Sequence, residues 1–202
     1  MARPRTRLIT RERIMGTALR IVDEHGPEAL SVSRIAVELG VKGPSMYNHI
    51  SGRDELVEGI RELLLAQIAT GHSALRPWTV AAERWARAYR RAFAAHPRVV
   101  PLLTAQPVGS AATLESYERA YAVLREAGWP EAEIQAVVRS IEYFVIGSAL
   151  DLTTRDPEQA ELSFEIGLAS LITGLEARLA ARAAGHRHAS GSNPHGRGPT
   201  PS

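Results

Sequence analysis

Side chains able to meet a nucleic-acid backbone are concentrated in the first quarter of this chain. Residues 1–53 hold nine basic side chains against five acidic ones, whereas the remainder holds 15 basic and 17 acidic ones. Six of the arginines fall within the first twenty residues. A basic end joined to a mildly acidic body favours a nucleic-acid-facing module attached to a second unit. A solvated basic arm is the alternative interpretation.

Enzymatic and metal chemistry have little support in the sequence. The 202 residues include no cysteine, which excludes a disulfide framework and any zinc site built on thiolates. His186 and His188, with His195 nearby, lie in a terminal stretch where we expect adventitious metal binding at most. Scattered Ser, His and Asp residues form no local catalytic pattern, and no Gly-rich phosphate loop is present. The sequence predicts neither an enzyme nor a bound cofactor or metal.

The elements that must position the basic side chains are helices. Capping residues and Gly or Pro breaks predict helices over 11–25, 32–39, 44–50, 54–72, 78–95, 98–104, 110–127, 130–151 and 157–182. No strand is expected, because β-branched residues nowhere alternate for long with polar ones. No apolar run reaches the roughly 18–20 residues that a membrane-spanning helix needs, and no signal-peptide core is visible. We therefore expect an all-α protein that is soluble and cytoplasmic.

Changes in composition divide the chain into four parts. We predict that residues 1–9 form a basic flexible arm, 10–53 a helix-turn-helix domain and 54–184 a larger helical domain. From 185 to 202 the chain is rich in Gly, Pro, Ser, His and Arg and carries no large apolar side chain. Such a segment cannot offset the entropy of ordering, so we expect this tail to be disordered.

The first three predicted helices form a helix-turn-helix pattern. Gly40 supplies the tight turn, and Ala36 is small enough for two helix backbones to approach closely. Ser51 and Asp54 resemble a capping box at the start of the fourth helix. The predicted small core consists of Ile35, Leu39, Val41, Met46 and Ile50. The residues left more exposed on the second helix of the motif and at its entry are Lys42, Gly43, Ser45, Asn48 and His49. An ordinary αα-hairpin is the alternative.

The segment from Leu30 to Leu56 resembles the DNA-binding signature of the TetR family of transcriptional regulators, in its tetracycline-repressor-like branch. The matching features are the Ala-x-x-Leu-Gly-Val turn, the Pro-Ser-Met-Tyr run, the Tyr-x-His pair and the Arg-Asp-Glu-Leu start of the next helix, at 36–41, 44–47, 47–49 and 53–56. A thinner resemblance to the C-terminal domain of this branch continues through Gly128-Trp129 and 164–175. The resemblance implies an N-terminal three-helix DNA-binding domain and a C-terminal ligand-binding and dimerisation domain.

Each matching position inherits an implied role from the resemblance. Ser45, Tyr47 and His49 would contact phosphates of an operator, and Arg53 would do so from the fourth helix. Pro44 would lie against the major groove, where its ring can touch a thymine methyl group. Lys42 would reach either a guanine edge or a phosphate.

Two departures from the branch affect base reading. Relatives in this branch read bases with an Arg where this chain has Ser33, and with a Gln where it has Gly43. Base reading must therefore shift to Ser33, Arg34, Lys42 or Asn48, and the operator should differ from the tetracycline one. The arm arginines Arg3, Arg5 and Arg7 would enter a flanking minor groove or lie over phosphates, a frayed terminus being the alternative.

Aromatic residues in the larger domain indicate either a ligand pocket or ordinary helix packing. The predicted ligand-binding residues are Trp78, Trp85, Tyr89, Phe93, Leu103, Tyr117, Tyr121, Tyr143, Phe144 and Asp151. The branch holds a magnesium–drug complex through a His that residues 100–107 lack, so we expect a mainly apolar or aromatic ligand. Asp151 would orient a polar or cationic group of that ligand, or is a solvated acid at a helix end.

Apolar stripes on the last two predicted helices, Ile134 to Ala149 and Leu168 to Leu179, predict a homodimer interface. Packing of these stripes within one subunit is the alternative.

The resemblance implies a repressor that binds a palindromic double-stranded DNA operator and is released by a small-molecule effector. The competing hypotheses are an α-helical bundle enzyme and a protein-interaction module, each with a vestigial helix-turn-helix.

Overall fold

The computed structural model describes residues 9–68, 74–151 and 156–191. Throughout these residues the regular structure is helical and no strand occurs, as the sequence predicted. The α-helices are, in chain order, α1 (Arg11–His25), α2 (Val32–Leu39), α3 (Gly43–Met46), α4 (Arg53–Ile68), α5 (Trp78–Ala94), α6 (Val100–Ala105), α7 (Ala111–Glu126), α8 (Glu131–Ala149) and α9 (Pro157–Gly191). A short 3₁₀ turn, Pro27–Ala29, joins α1 to α2.

The helix starts predicted for α1 and α2 are confirmed by their capping hydrogen bonds. The Thr10 hydroxyl accepts from the backbone N–H of Arg13 at 3.3 Å, and the Ser31 hydroxyl accepts from that of Arg34 at 3.2 Å. Each bond satisfies one of the backbone donors that the first turn of a helix leaves without a partner. Ile9, which the sequence assigned to the arm, is partly buried against the core. The remainder of that arm, including Arg3, Arg5 and Arg7, lies outside the described residues.

Helix α4 begins at a capping box that differs by one residue from the predicted one. Glu55, rather than Asp54, reaches back to Ser51, accepting from its backbone N–H at 2.7 Å and from its hydroxyl at 2.9 Å. The shift arises because α4 starts at Arg53, which makes Glu55 its third residue. The predicted end near His72 lies outside the described residues.

Helix α4 joins the N-terminal helices to the rest of the molecule. It packs against α1 on one side and against α5, α6 and α7 on the other. Gly59 lets α1 approach closely, because a Cβ atom there would lie 2.3 Å from the sulfur of Met15. The predicted stripe of Leu56, Ile60, Leu64 and Ile68 is fully buried, with Leu63 partly buried beside it.

The apolar stripes of α8 and α9 are mostly buried within the single chain, which corrects the predicted interface. Helix α8 packs on α5, α7 and α9, and its residues Ile134, Val138 and Val145 are almost inaccessible to solvent. Leu168 and Ile172 of α9 face the same core. The large apolar side chains that remain exposed near this end of the chain are instead Tyr143, Leu150, Leu162 and Ile166. The monomer core therefore uses most of the residues that the sequence assigned to dimerisation, while Leu171, Leu175 and Leu179 of α9 are only half-buried.

Two helix ends also differ from the predictions. Helix α3 stops at Met46 and the chain turns through residues 47–49, where the backbone N–H groups of His49 and Ile50 both donate to the Met46 carbonyl. Helix α9 continues to Gly191, so the prediction of disorder from 185 is wrong over 185–191. Alanine-rich sequence without proline continues past Arg182, and glycine alone weakens a helix without ending it.

Candidate DNA-binding face and ligand cavity

The turn of the helix-turn-helix depends on a left-handed glycine. Gly40 adopts φ 67° and ψ 34°, a conformation that side-chain-bearing residues rarely adopt. Its N–H donates to the Val37 carbonyl at 3.1 Å, and the N–H of Val41 donates to the Ala36 carbonyl at 2.9 Å. These bonds satisfy the last carbonyls of α2 and direct the chain into α3. Ile35, Met46 and Ile50 then form the buried core beneath the turn, as predicted.

This arrangement leaves the predicted DNA-contacting side chains on the surface. The exposed members of the set are Ser33, Lys42, Pro44, Tyr47, Asn48, His49 and Arg53, and the partly buried members are Arg34, Gly43 and Ser45. Tyr47 is 61% exposed, although a large aromatic side chain is ordinarily covered. The Arg53 guanidinium donates to the Pro27 carbonyl at 3.2 Å, which ties the start of α4 to the connection between α1 and α2. We define these ten residues as the DNA-binding face.

One exposed residue beside this face, Val37, was not singled out from the sequence. Val37 is 80% exposed and lies one helical turn after Ser33, on the same side of α2. An exposed β-branched side chain beside basic and hydroxyl groups can make apolar contact with a thymine methyl group. The register of α2 set by its Ser31 cap was the signal that could have identified it.

The connection between α5 and α6 holds the N-terminal helices against the larger helical body. The Arg98 guanidinium donates to the carbonyls of Asp23 and Glu24 at 2.9 and 3.0 Å. His96 Nδ1 lies 2.7 Å from a carboxylate oxygen of Asp23. The end of α1 is therefore bonded directly to residues that follow α5.

A cavity of about 790 Å³ opens between α4, α5, α7 and α8 and the segment that contains α6. Five of the predicted ligand-binding residues line it, namely Tyr89, Phe93, Leu103, Tyr117 and Tyr143. The rings of Tyr89 and Phe93 are stacked with their centroids 4.3 Å apart. The volume lies within the range typical of small-molecule pockets.

The other five predicted ligand-binding residues do not line this cavity. Trp78 and Trp85 border a separate small cleft of about 70 Å³. Tyr121 packs beside Tyr117, and Phe144 stacks on Phe164 over Gly167, where a Cβ atom would lie 2.5 Å from the Phe144 ring. Asp151 is exposed at the end of α8. Helical spacing aligned these residues correctly along their helices but did not indicate which neighbouring helix each would face.

Sequence reasoning missed a buried ion pair, of which Arg61 lines the cavity and Glu58 is the partner. Arg61 of α4 donates to a Glu58 carboxylate oxygen at 3.0 Å and to the carbonyls of Leu103 and Gln106 at 3.0 and 2.9 Å. The Thr113 hydroxyl donates to the other oxygen of Glu58 at 2.8 Å, and the Ser110 N–H does so at 3.2 Å. Burial alone would raise the pKa of Glu58, but these hydrogen bonds and the charge of Arg61 hold it below its ordinary range.

A second buried carboxyl group, Glu142 of α8, lies on the same cavity. The Tyr117 hydroxyl donates to one of its oxygens at 2.6 Å. Burial raises the pKa of Glu142, and the hydrogen bond from Tyr117 opposes that effect only in part. Burial and the neighbouring Glu142 likewise raise the pKa of Tyr117. No hydrophobic pattern signals such a residue, because Glu142 stands where an apolar core position of α8 would be expected.

The described ranges contain neither a cluster of metal-binding side chains nor a helix that could span a membrane. There, no group of three or more His, Cys, Asp and Glu side chains is arranged to hold a metal ion. No helix in the same ranges is long and apolar enough to cross a membrane.

Both halves of the chain match models of known protein families. Residues 14–60 match the family described as bacterial regulatory proteins, tetR family. Residues 75–162 match the tetracyclin repressor-like C-terminal domain. Between them, these matches contain most of the DNA-binding face and most of the cavity wall.

Individual relatives agree with these matches. The HTH-type transcriptional repressor DrrR1 of Streptomyces coeruleorubidus is 25% identical over 147 residues, which are 70% of this chain and 53% of that protein. The chain thus spans about half the length of this relative. The structure of BioQ with its double-stranded DNA operator has a TM-score of 0.66 at 28% identity, covering 84% of this chain and 99% of that one. Streptomyces coelicolor ActR in complex with actinorhodin has a TM-score of 0.73 at 25% identity, covering 85% and 99%.

The helix-turn-helix, its exposed polar face and the larger helical body define a DNA-binding transcriptional regulator of two-part, all-α construction. The chain belongs to the TetR family, with a tetracycline-repressor-like C-terminal domain.

Proposed function

We propose that this regulator is a homodimeric repressor that leaves a palindromic operator when a small, mainly apolar or aromatic molecule enters the cavity. One observation carries the proposal: α4 contributes Arg53 to the DNA-binding face and Arg61 to the cavity wall. A molecule that displaces Arg61 from the Leu103 and Gln106 carbonyls acts on the same helix that orients Arg53. Residues 10–53 would bind DNA, and residues from 54 onward would bind the ligand and the second subunit.

The chemistry of the DNA-binding face supports two kinds of contact with the operator, one to phosphates and one to bases. Tyr47, His49 and Arg53 provide exposed donors suited to phosphate oxygens, which position the protein without reading sequence. Base edges would be read by Ser33, Arg34, Lys42 or Asn48, with Pro44 and Val37 against thymine methyl groups. BioQ, whose structure contains its operator, supports this use of the shared fold.

The cavity supports an effector other than a magnesium–tetracycline complex. Pro101, Leu102 and Leu103 offer no metal-binding side chain where the branch uses a His. The stacked Tyr89 and Phe93 suit a planar ring system instead, and ActR binds the compound actinorhodin on a similar fold. Effector and operator each weaken the binding of the other by the same factor, because the coupling free energy is reciprocal.

The exposed apolar side chains support the proposed homodimer. Leu162 and Ile166 of α9 lie one turn apart, and Leu150, which directly follows α8, is exposed as well. A two-fold axis beside these residues would bury them against their own copies and place the two DNA-binding faces on successive major grooves.

The proposal is tested by selecting bound sequences from random DNA with the full chain. A palindromic consensus is expected, and recovery of no enriched sequence would overturn the repressor function.

We also expect Tyr47→Ala to weaken binding to all sequences by about 3- to 10-fold, as loss of a phosphate hydrogen bond should. Lys42→Ala should change the selected consensus. Identical binding profiles of the two variants would contradict the division between positioning and reading.

A further inference from the structure

The cavity is lined by one buried acidic group, Glu142, that forms no ion pair within the described part of the chain. Glu142 is only 3% exposed, and the Tyr117 hydroxyl is its hydrogen-bond partner. Among the described residues no cationic side chain forms an ion pair with it. Burying a carboxylate in this way costs several kcal/mol unless a partner neutralises it.

The neighbouring cations do not supply this partner. The Arg61 guanidinium is already bonded to Glu58 and to two backbone carbonyls. Arg139 borders the same cavity from the helix that carries Glu142, and its charge partly offsets the effect of burial on the pKa of that carboxyl, but its exposed side chain forms no ion pair with Glu142. Glu58, the partner of Arg61, accepts hydrogen bonds from an arginine and from a hydroxyl group. Of the two buried acids, Glu58 therefore has an ion pair, whereas Glu142 has only a hydroxyl donor.

The aromatic side chains of the cavity wall suit a positive charge carried on a flat apolar body. Tyr89, Phe93, Tyr117 and Tyr143 present aromatic rings to the space beside Glu142. The face of an aromatic ring attracts cations through its quadrupole. An anionic ligand would instead meet the like charge of Glu142 in a poorly screened environment.

We infer that the effector is an aromatic cation, whose protonated amine or equivalent group binds Glu142 while its ring system stacks on Tyr89 and Phe93. The inference rests on the proposed function, since it names the chemical class of ligand for the same cavity. The cation forms the ion pair that Glu142 lacks within the described residues, where the Tyr117 hydroxyl is its hydrogen-bond partner.

Three probes of matching size test the inference: anthracenylmethylamine, a cation at neutral pH, anthracenylmethanol, which is a neutral donor, and anthracene carboxylate. Their binding to the full chain is measured directly by fluorescence anisotropy, without DNA. We expect the amine to bind about 10- to 100-fold more tightly than the alcohol, as a charge-assisted hydrogen bond should. Carboxylate binding should be the weakest.

Substitution then locates the preference. Glu142→Gln keeps the shape of the side chain and its acceptor for Tyr117, and it should abolish the preference for the amine while leaving binding of the alcohol within about threefold. Glu118→Gln removes an exposed charge from α7 and should change neither affinity. Binding of the alcohol also shows that each variant is folded.

Several outcomes would overturn the inference. These are failure of the amine to bind, equal binding of amine and alcohol to the native chain, and an amine preference that survives in Glu142→Gln. The proposed function is judged separately, by release of the selected operator. Release by neutral aromatics without preference for amines would leave that function standing and overturn the inference. Amine binding that depends on Glu142 but never releases the operator would support the inference and overturn the proposed function.

Discussion

The DNA-binding face and the cavity wall handle polar groups in opposite ways. Tyr47, His49 and Lys42 are exposed to water in the folded chain. Glu58, Arg61 and Glu142 are removed from water by folding itself. A polar group on the face therefore affects binding with little effect on stability, whereas one in the wall contributes to both.

The largest expected effect comes from removing the arginine of the wall. Arg61→Met keeps an apolar stem but leaves Glu58 buried without its ion pair, and it frees the carbonyls of Leu103 and Gln106. We expect the free energy of unfolding, measured by urea denaturation, to fall by about 3–5 kcal/mol. Arg119→Met is the matched control, because Arg119 is an exposed partner of Glu115 on α7. Its effect should stay below about 0.5 kcal/mol, and equal losses in both variants would remove the distinction between wall and surface.

A smaller effect on the free energy of unfolding is expected when either buried acid, Glu58 or Glu142, is neutralised. The effect should have opposite signs at the two positions. The lowered pKa of Glu58 means that its contribution to stability is present above the ordinary value of 4.5 and is lost as pH falls through its folded pKa. The raised pKa of Glu142 works the other way, with its contribution complete below 4.5 and lost as pH rises through its folded pKa.

At neutral pH, Glu58→Gln should therefore lower the free energy of unfolding by about 1–3 kcal/mol, whereas Glu142→Gln should raise it. Urea denaturation from about pH 4 to pH 8 measures both. Loss of stability at neutral pH in Glu142→Gln would show that Glu142 has an ionic partner after all.

The smallest expected effect compares two glycines of the DNA-binding end. Gly40→Ala places a side chain at φ 67° and should lower the free energy of unfolding by about 1–2 kcal/mol. Gly16→Ala lies within α1, where an added Cβ meets no atom within 4 Å, and should raise it by about 0.5–1 kcal/mol. Thermal unfolding of both variants gives the comparison. A Gly40→Ala variant as stable as the native chain would mean that the turn does not require its left-handed residue.

The parts of the molecule that the sequence predicted well depend on short-range signals. Thr10, Ser31 and Gly40 cap helices within a few residues of themselves, and both hydroxyl caps and the glycine turn are present. The caps also set the register that leaves Tyr47 and Lys42 exposed. The arrangement of Ser51 differed by one position because Asp and Glu are adjacent there, and the start of α4 selects between them.

The cavity was harder to predict because it depends on which helices meet. Trp85 and Tyr89 are one turn apart on α5, yet they border different spaces. Arg61 and Glu142 were not identified from the sequence, because a sequence pattern does not reveal partners that lie 42 and 25 residues away. The α8 and α9 stripes were assigned to a dimer for the same reason: an apolar stripe does not specify whether its partner belongs to the same chain.

The contact between Arg98 and the end of α1 has a consequence for domain exchange among relatives. The last carbonyls of a helix need donors, and here an arginine from beyond α5 supplies them for Asp23 and Glu24. A chimaera that joins this DNA-binding end to a foreign sensor body would lose that cap unless the new body carries an arginine at the same place. The two parts look separable in the sequence. A functional graft should nevertheless transfer residues 96–98 together with α1.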